Sequence, residues 1–181
     1  MFANAGWFVD RHTMVWIRKI NTSVEQLWDA VSTKKGLERW WIVDDIEIEL
    51  CVGGTFRHHW TDTVRGFRKN EFIDFDGRTF SGSRMRFEMR EDGDGCVFSF
   101  LCKWREDATP EKTVNSADLG AVQPGGPGTP WASVAAGWHE MIDQLEAYLT
   151  TQAFEDSYEE LIPFYARYLT DYYRWVAEIS R

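Results

Sequence analysis

From Arg84 to Glu91 apolar and polar residues alternate, with Met85, Phe87 and Met89 set against Arg84, Arg86, Glu88 and Arg90. A period of two becomes a single apolar face only in an extended strand. The turn signal Asp92-Gly93-Asp94-Gly95 follows and Cys96 to Trp104 returns, so this stretch predicts a β-hairpin. The same period recurs upstream. Ile46, Ile48 and Leu50 alternate with Asp45, Glu47 and Glu49, Gly53-Gly54 makes a turn, and Phe56, His58 and Trp60 alternate with Thr55, Arg57 and His59. Val64 to Phe75 predicts a further strand or bent pair, Asp76-Gly77 a turn, and Arg78 to Ser81 a short strand. Thr13 to Ile20, rich in β-branched and aromatic residues, predicts the first strand. Hairpins in succession build an antiparallel sheet.

Helical spacing brackets this meander. Thr22 and Glu25 form a T-x-x-E capping box before Val24, Leu27, Trp28 and Val31, and the run KKGLERWW predicts a second short helix carrying Leu37, Trp40 and Trp41. Gly36 weakens that second helix. Residues 105–131 hold four of the five prolines and four glycines, which predicts a long irregular loop, in a compact domain typically a lid. The longest predicted helix runs from Ala132 to Thr150. It carries Val134, Trp138, Met141, Ile142, Leu145 and Leu149 on one stripe, with His139, Glu140, Asp143, Gln144 and Glu146 on a solvated opposite face. Residues 152–181 predict an aromatic helical segment through Tyr158, Leu161, Ile162, Tyr165, Leu169, Tyr172 and Val176, kinked or restarted at Pro163. Such a stripe is too apolar to leave in water: it covers the protein's own surface or pairs with a second copy.

At 181 residues the chain fits one core, and size scaling buries about 70% of its surface, enough for a cavity. Aromatic residues make up 15%, ten of them Trp, so the chain is not disordered. The net charge of −9 and the lack of a basic run argue against nucleic acid and anionic membrane as partners. Three cysteines, Cys51, Cys96 and Cys102, without C-x-x-C spacing suit a reducing compartment. The N-terminal stretch has no basic start and is broken by Asp10, so it does not read as a signal peptide, and no apolar run reaches membrane-spanning length. The expected location is the cytoplasm.

The run VEQLWDAVSTKKGLERWW, then VGGTFRHHW, then GWHEMIDQLEAYL, in this order over about residues 13–150, resembles the SRPBCC superfamily of START-like and birch-pollen-allergen-like proteins. Within it the chain is similar to the branch related to the activator of heat-shock-protein-90 ATPase. The resemblance implies an α+β helix-grip fold, a curved antiparallel sheet wrapped around the long helix with an apolar cavity between them. Residues 1–151 then form the START-like domain, with 105–131 as its lid, and 152–181 an added helical extension. The loop looks long for the family and the extension looks like an addition. No single activity is implied, because the relatives include carriers, cyclases and chaperone regulators.

Candidate site residues follow from this frame. Successive strand residues face opposite ways, so His58 and His59 cannot hold one ion, and with neither H-E-x-x-H nor C-x-x-C no metal or cofactor is expected. Phe80-Ser81-Gly82-Ser83 is a turn rather than a nucleophile elbow. Trp16, Trp28 and Trp138 occupy core-facing positions, whereas Trp41, Trp60 and Trp104 lie near element ends where a cavity would open. The expected ligand-binding set is Trp41, Phe56, His58, Trp60, Met85, Phe87, Trp104 and Trp138. His58, between Phe56 and Trp60, is the one acid/base candidate, and without a carboxylate nearby burial would favour its neutral form. Arg84 and Arg86 belong to the solvated face. The expected function is binding of a small hydrophobic or aromatic molecule between sheet and long helix. The rivals are a cyclase, dehydratase or hydrolase acting on an aromatic or polyketide-like compound in the same cavity, and a chaperone-activator-like interaction module. A homodimer through the extension is a further expectation.

Overall fold

The structure, a computed structural model, describes residues 4–10, 12–41, 45–58, 61–77, 84–103 and 129–179. Its strands are β1 (Trp7–Asp10), β2 (Thr13–Ile20), β3 (Glu47–Ile48), β4 (Thr55–Arg57), β5 (Thr61–Arg68), β6 (Phe72–Gly77), β7 (Arg84–Asp92) and β8 (Gly95–Lys103). They form one antiparallel sheet in the order β1-β2-β8-β7-β6-β5-β4-β3. The helices among the described residues are α1 (Val24–Ser32), α2 (Lys34–Leu37), α3 (Thr129–Thr150) and α4 (Tyr158–Ile179).

The alternation decides which face is buried. Cross-strand partners share a face, and the registers Trp16↔Phe100, Phe87↔Phe100, Ile73↔Phe87 and Phe75↔Met85 line up buried residues across β2, β8, β7 and β6. This face carries α1 and α3. The opposite face is polar and laced with ion pairs: Arg84 pairs with the buried Asp74, and Arg86 donates to Glu88 at 2.6 Å while stacking 4.2 Å over Phe72. The α+β helix-grip architecture expected from the sequence is therefore present.

Several local expectations are corrected. The capping box of α1 is Ser23 and Gln26 rather than Thr22 and Glu25: Ser23 Oγ accepts from the Gln26 amide at 3.2 Å, and Thr22 is turned inward to donate to Gln26 Oε1. Gly36 suits α2, since a Cβ there would meet Asp29 O at 2.2 Å. The 64–75 run is two strands, β5 and β6, turning at Asn70 with φ 63°. The segment around Ile46 contributes just the two-residue β3. β1 went unpredicted, because four residues hold too little periodicity to register. Pro163 neither restarts nor ends α4; it sits in the second turn, where its missing N–H costs one bond to Glu159. Arg78 to Ser81 and the loop at 105–128 lie outside the described residues.

The largest correction concerns α3. Its presumed solvated face is covered: His139 and Glu140 are buried, along with Trp138, Ile142 and Leu145 on the sheet side. The cover is α4, whose Leu161, Tyr165 and Leu169, one turn apart, are fully buried. The aromatic stripe thus lies on the protein's own surface. Three tyrosines then tie α4 to the N-terminal strand. Tyr165 Oη accepts from the Gly6 amide at 2.8 Å, Tyr168 Oη accepts from the Phe8 amide at 3.0 Å, and Tyr172 donates to Asp10 O at 3.1 Å. Phe8 stacks on Tyr172 with centroids 4.0 Å apart. Gly6 is required at this join, as a Cβ would meet the Trp16 indole at 2.3 Å.

Candidate functional site

Among the described residues, two buried polar groupings flank α3, one on each side. On the α4 side, Tyr165 Oη also accepts from Trp16 Nε1 at 2.9 Å. An oxygen receiving two N–H groups keeps its own proton for His139 Nδ1, 2.9 Å away, so His139 carries hydrogen on Nε2 and donates to Asp143 Oδ2 at 3.2 Å. Asp143 Oδ1 accepts from Arg18 Nη2 at 2.6 Å, and Arg18, 1% exposed, donates also to Asn4 O. Burial alone would raise the Asp143 carboxyl, but the His139 bond and the Arg18 charge hold it below the usual range. Burial pushes the Tyr165 phenol up to about 12. This grouping is saturated with internal partners and reads as a fastening between β2, α3 and α4.

The other grouping lies under the sheet side of α3. Phe56 pairs with Asp62 across β4 and β5, so both side chains share the inward face, and His58 lies two residues beyond Phe56 on that same face. His58 Nε2 and Asp62 Oδ2 are 2.8 Å apart, with side chains 1% and 0% exposed. Aromatic rings close around them. Trp41 stands 5.3 Å from Phe56, 5.3 Å from His58 and 5.9 Å from Trp138, all edge-on. Phe56 continues to Phe75 at 4.8 Å, Phe75 to Phe87 at 5.3 Å, and Phe100 to Trp138 at 4.8 Å.

Of the expected ligand-binding set, Trp41, Phe56, His58, Met85, Phe87 and Trp138 are buried in this one core. Trp60 and Trp104 lie outside the described residues. The condition attached to His58, that no carboxylate stands near it, is not met, because Asp62 sits against the ring. Asp62 was missed, although a signal existed: counting back by two from the apolar Val64 places it inward. The spacing of Arg18 with Trp16 and Ile20 likewise announced a buried guanidinium.

Two surface hollows have a different character. One, of about 420 Å³ on the outer sheet face, is bordered by Phe72, Arg86 and Glu88, and another, of about 470 Å³, by Lys34, Glu47 and Arg57. Their charges are already paired, Arg57 with Glu47 at 2.8 Å and Arg86 with Glu88. Cys96 and Cys102 are buried along β8 and Cys51 is exposed, and none of the three is in a disulfide. Among the described residues no group of three or more His, Cys, Asp or Glu is placed to hold a metal ion, and no helix is long and apolar enough to cross a membrane.

A curved antiparallel sheet closed over a long helix, with its polar groups set in an aromatic interior, defines the helix-grip class of the SRPBCC superfamily. Within it, residues 21–150 match the model of the activator of Hsp90 ATPase homolog 1-like protein family, and the chain belongs to that family. No curated protein matches the chain. Among solved structures it is similar to a conserved protein of unknown function from Enterococcus faecalis, with TM-score 0.67 and 18% identity over 92% of this chain and 91% of that one. It is also similar to CalU16 from Micromonospora echinospora, with TM-score 0.61 and 12% identity over 85% and 83% of the two chains. A third similar structure is the Aha1 dimer from Colwellia psychrerythraea, with TM-score 0.57 and 17% identity over 76% and 96%. At these identities the likeness speaks for the fold.

Proposed function

We propose that the protein binds a small hydrophobic or aromatic molecule between the sheet and α3, among Trp41, Phe56, His58, Phe87 and Trp138. The observation that carries this reading is the His58–Asp62 pair, fully buried among aromatic rings. A buried ionisable pair stabilises a fold poorly compared with apolar side chains of the same volume. Its presence in an otherwise apolar interior therefore supports a role in orienting a ligand. Residues 1–151 act in this reading as the binding domain, and 152–181 as a helical segment behind it.

A second reading, an enzyme in the same interior, is favoured by one feature: Asp62 holds the His58 ring as an orienting carboxylate holds a general base. Native mass spectrometry of the purified protein, followed by calorimetric titration with naphthalene and with 6-hydroxy-2-acetylnaphthalene, tests binding. A co-purifying small molecule or saturable uptake supports it. A protein that carries no small molecule and takes up neither naphthalene nor 6-hydroxy-2-acetylnaphthalene overturns it in favour of the interaction module. A reducing, cytoplasmic location goes with three cysteines outside any disulfide. Among the described residues, Phe154, Trp175 and Ile179 are the large apolar side chains the extension exposes for self-association, which sedimentation velocity reads directly.

A further inference from the structure

Among the described residues, the aromatic interior holds two buried polar atoms without a hydrogen-bond partner, Asp62 Oδ1 and Trp138 Nε1. Each belongs to a buried side chain, Asp62 at 0% and Trp138 at 7% exposure. Unpaired buried polar atoms are rare because each forfeits its hydration. They are also chemically opposite: the carboxylate oxygen accepts and the indole N–H donates. Trp41 links the two, lying 5.3 Å from the His58 ring that Asp62 holds and 5.9 Å from Trp138.

We infer that the ligand of this interior is a neutral aromatic compound carrying a hydroxyl group, which donates to Asp62 Oδ1, and a separate carbonyl group, which accepts from Trp138 Nε1. This rests on the reading of the interior as a ligand site and adds the chemical class. A carboxylate ligand is disfavoured, since Asp62 would face it with like charge and the whole chain already carries −9. A bare hydrocarbon is a poor fit as well, because it would leave both atoms unpaired. His58 fixes which Asp62 oxygen is available, by occupying Oδ2.

The test is calorimetric titration of the full chain with three bicyclic probes: 6-hydroxy-2-acetylnaphthalene, its methyl ether and 6-ethyl-2-naphthol, with naphthalene as the apolar reference. The hydroxy-ketone should bind about tenfold tighter than either analogue, the scale of one net hydrogen bond. In Asp62→Asn, whose amide can donate to an ether oxygen, the gap between hydroxyl and methyl ether should close. The gap between ketone and ethyl compound should persist in that variant. In Trp138→Phe, which keeps a ring and removes the N–H, the pattern should reverse. Probes bound with equal affinity to naphthalene overturn the donor–acceptor assignment and leave the apolar site standing. Absence of binding by all four overturns both. Should Asp62→Asn fail to fold, the ketone preference in Trp138→Phe still decides the matter: retained at tenfold, it refutes the assignment.

Discussion

Single side chains set the energetic stakes here, and Tyr165 is the clearest. Its hydroxyl meets Gly6, Trp16 and His139, so Tyr165→Phe strands two buried N–H donors and should cost about 2 to 4 kcal/mol in urea unfolding. Trp138→Ala empties a buried indole site between Trp41 and Phe100 and should cost about 3 to 5 kcal/mol by the same measurement. A loss below about 1 kcal/mol would contradict its place in the core. Glu140 brings a pH dependence. Burial, then its bond to Asp156 and the charge of that carboxylate, push the Glu140 carboxyl up to about 7, well above the ordinary 4.5. The folded state thus keeps a proton that the unfolded chain releases, so this contribution to stability is complete below about pH 4.5 and is lost as pH rises through about 7. The denaturation midpoint should therefore fall between pH 5 and pH 8, and Glu140→Gln should flatten that slope. None of these partners could be read from spacing: Glu140, His139 and Asp143 carry the residue types of a wet face, and their burial depends on what lies against them.

Among the elements, α4 changes the account most. Its own pattern made it helical and apolar on one side, with Tyr158, Leu161, Tyr165 and Leu169 at helical spacing. The same pattern was equally compatible with packing on a second copy. Three fully buried side chains at about 1.5 to 3 kcal/mol each make truncation after Thr151 strongly destabilising, visible as a lower melting temperature and poorer solubility. Unchanged melting after truncation would show that α4 packs on nothing. The strands were legible in proportion to their length. β7 and β8, nine residues each, were found with nearly their observed bounds, whereas β1 and β3, of four and two residues, were missed or overextended. Short elements owe their structure to their neighbours: β1 exists because β2 on one side and the tyrosines of α4 on the other satisfy it.

Over the whole molecule, the chain's two ends are joined. Deleting the first ten residues and deleting α4 remove the same Tyr165, Tyr168 and Tyr172 bonds, so the two losses should not add. The doubly truncated protein should be more stable than the sum of the single effects requires, as a denaturation cycle will show. Sequence alone determined the class of fold, because a period of two and a period of 3.6 are properties of the local chain and survive without knowledge of any contact. It also determined which face of β7 turns inward and, from the alternation of Phe56 with His58, the inward position of His58. Tertiary structure alone decided three things: that Asp62 meets His58, that α4 buries the polar side of α3, and that Arg18 finds Asp143 across 125 positions of sequence. Pairing of polar groups inside a protein depends on distances between elements, and local periodicity carries no information about those distances.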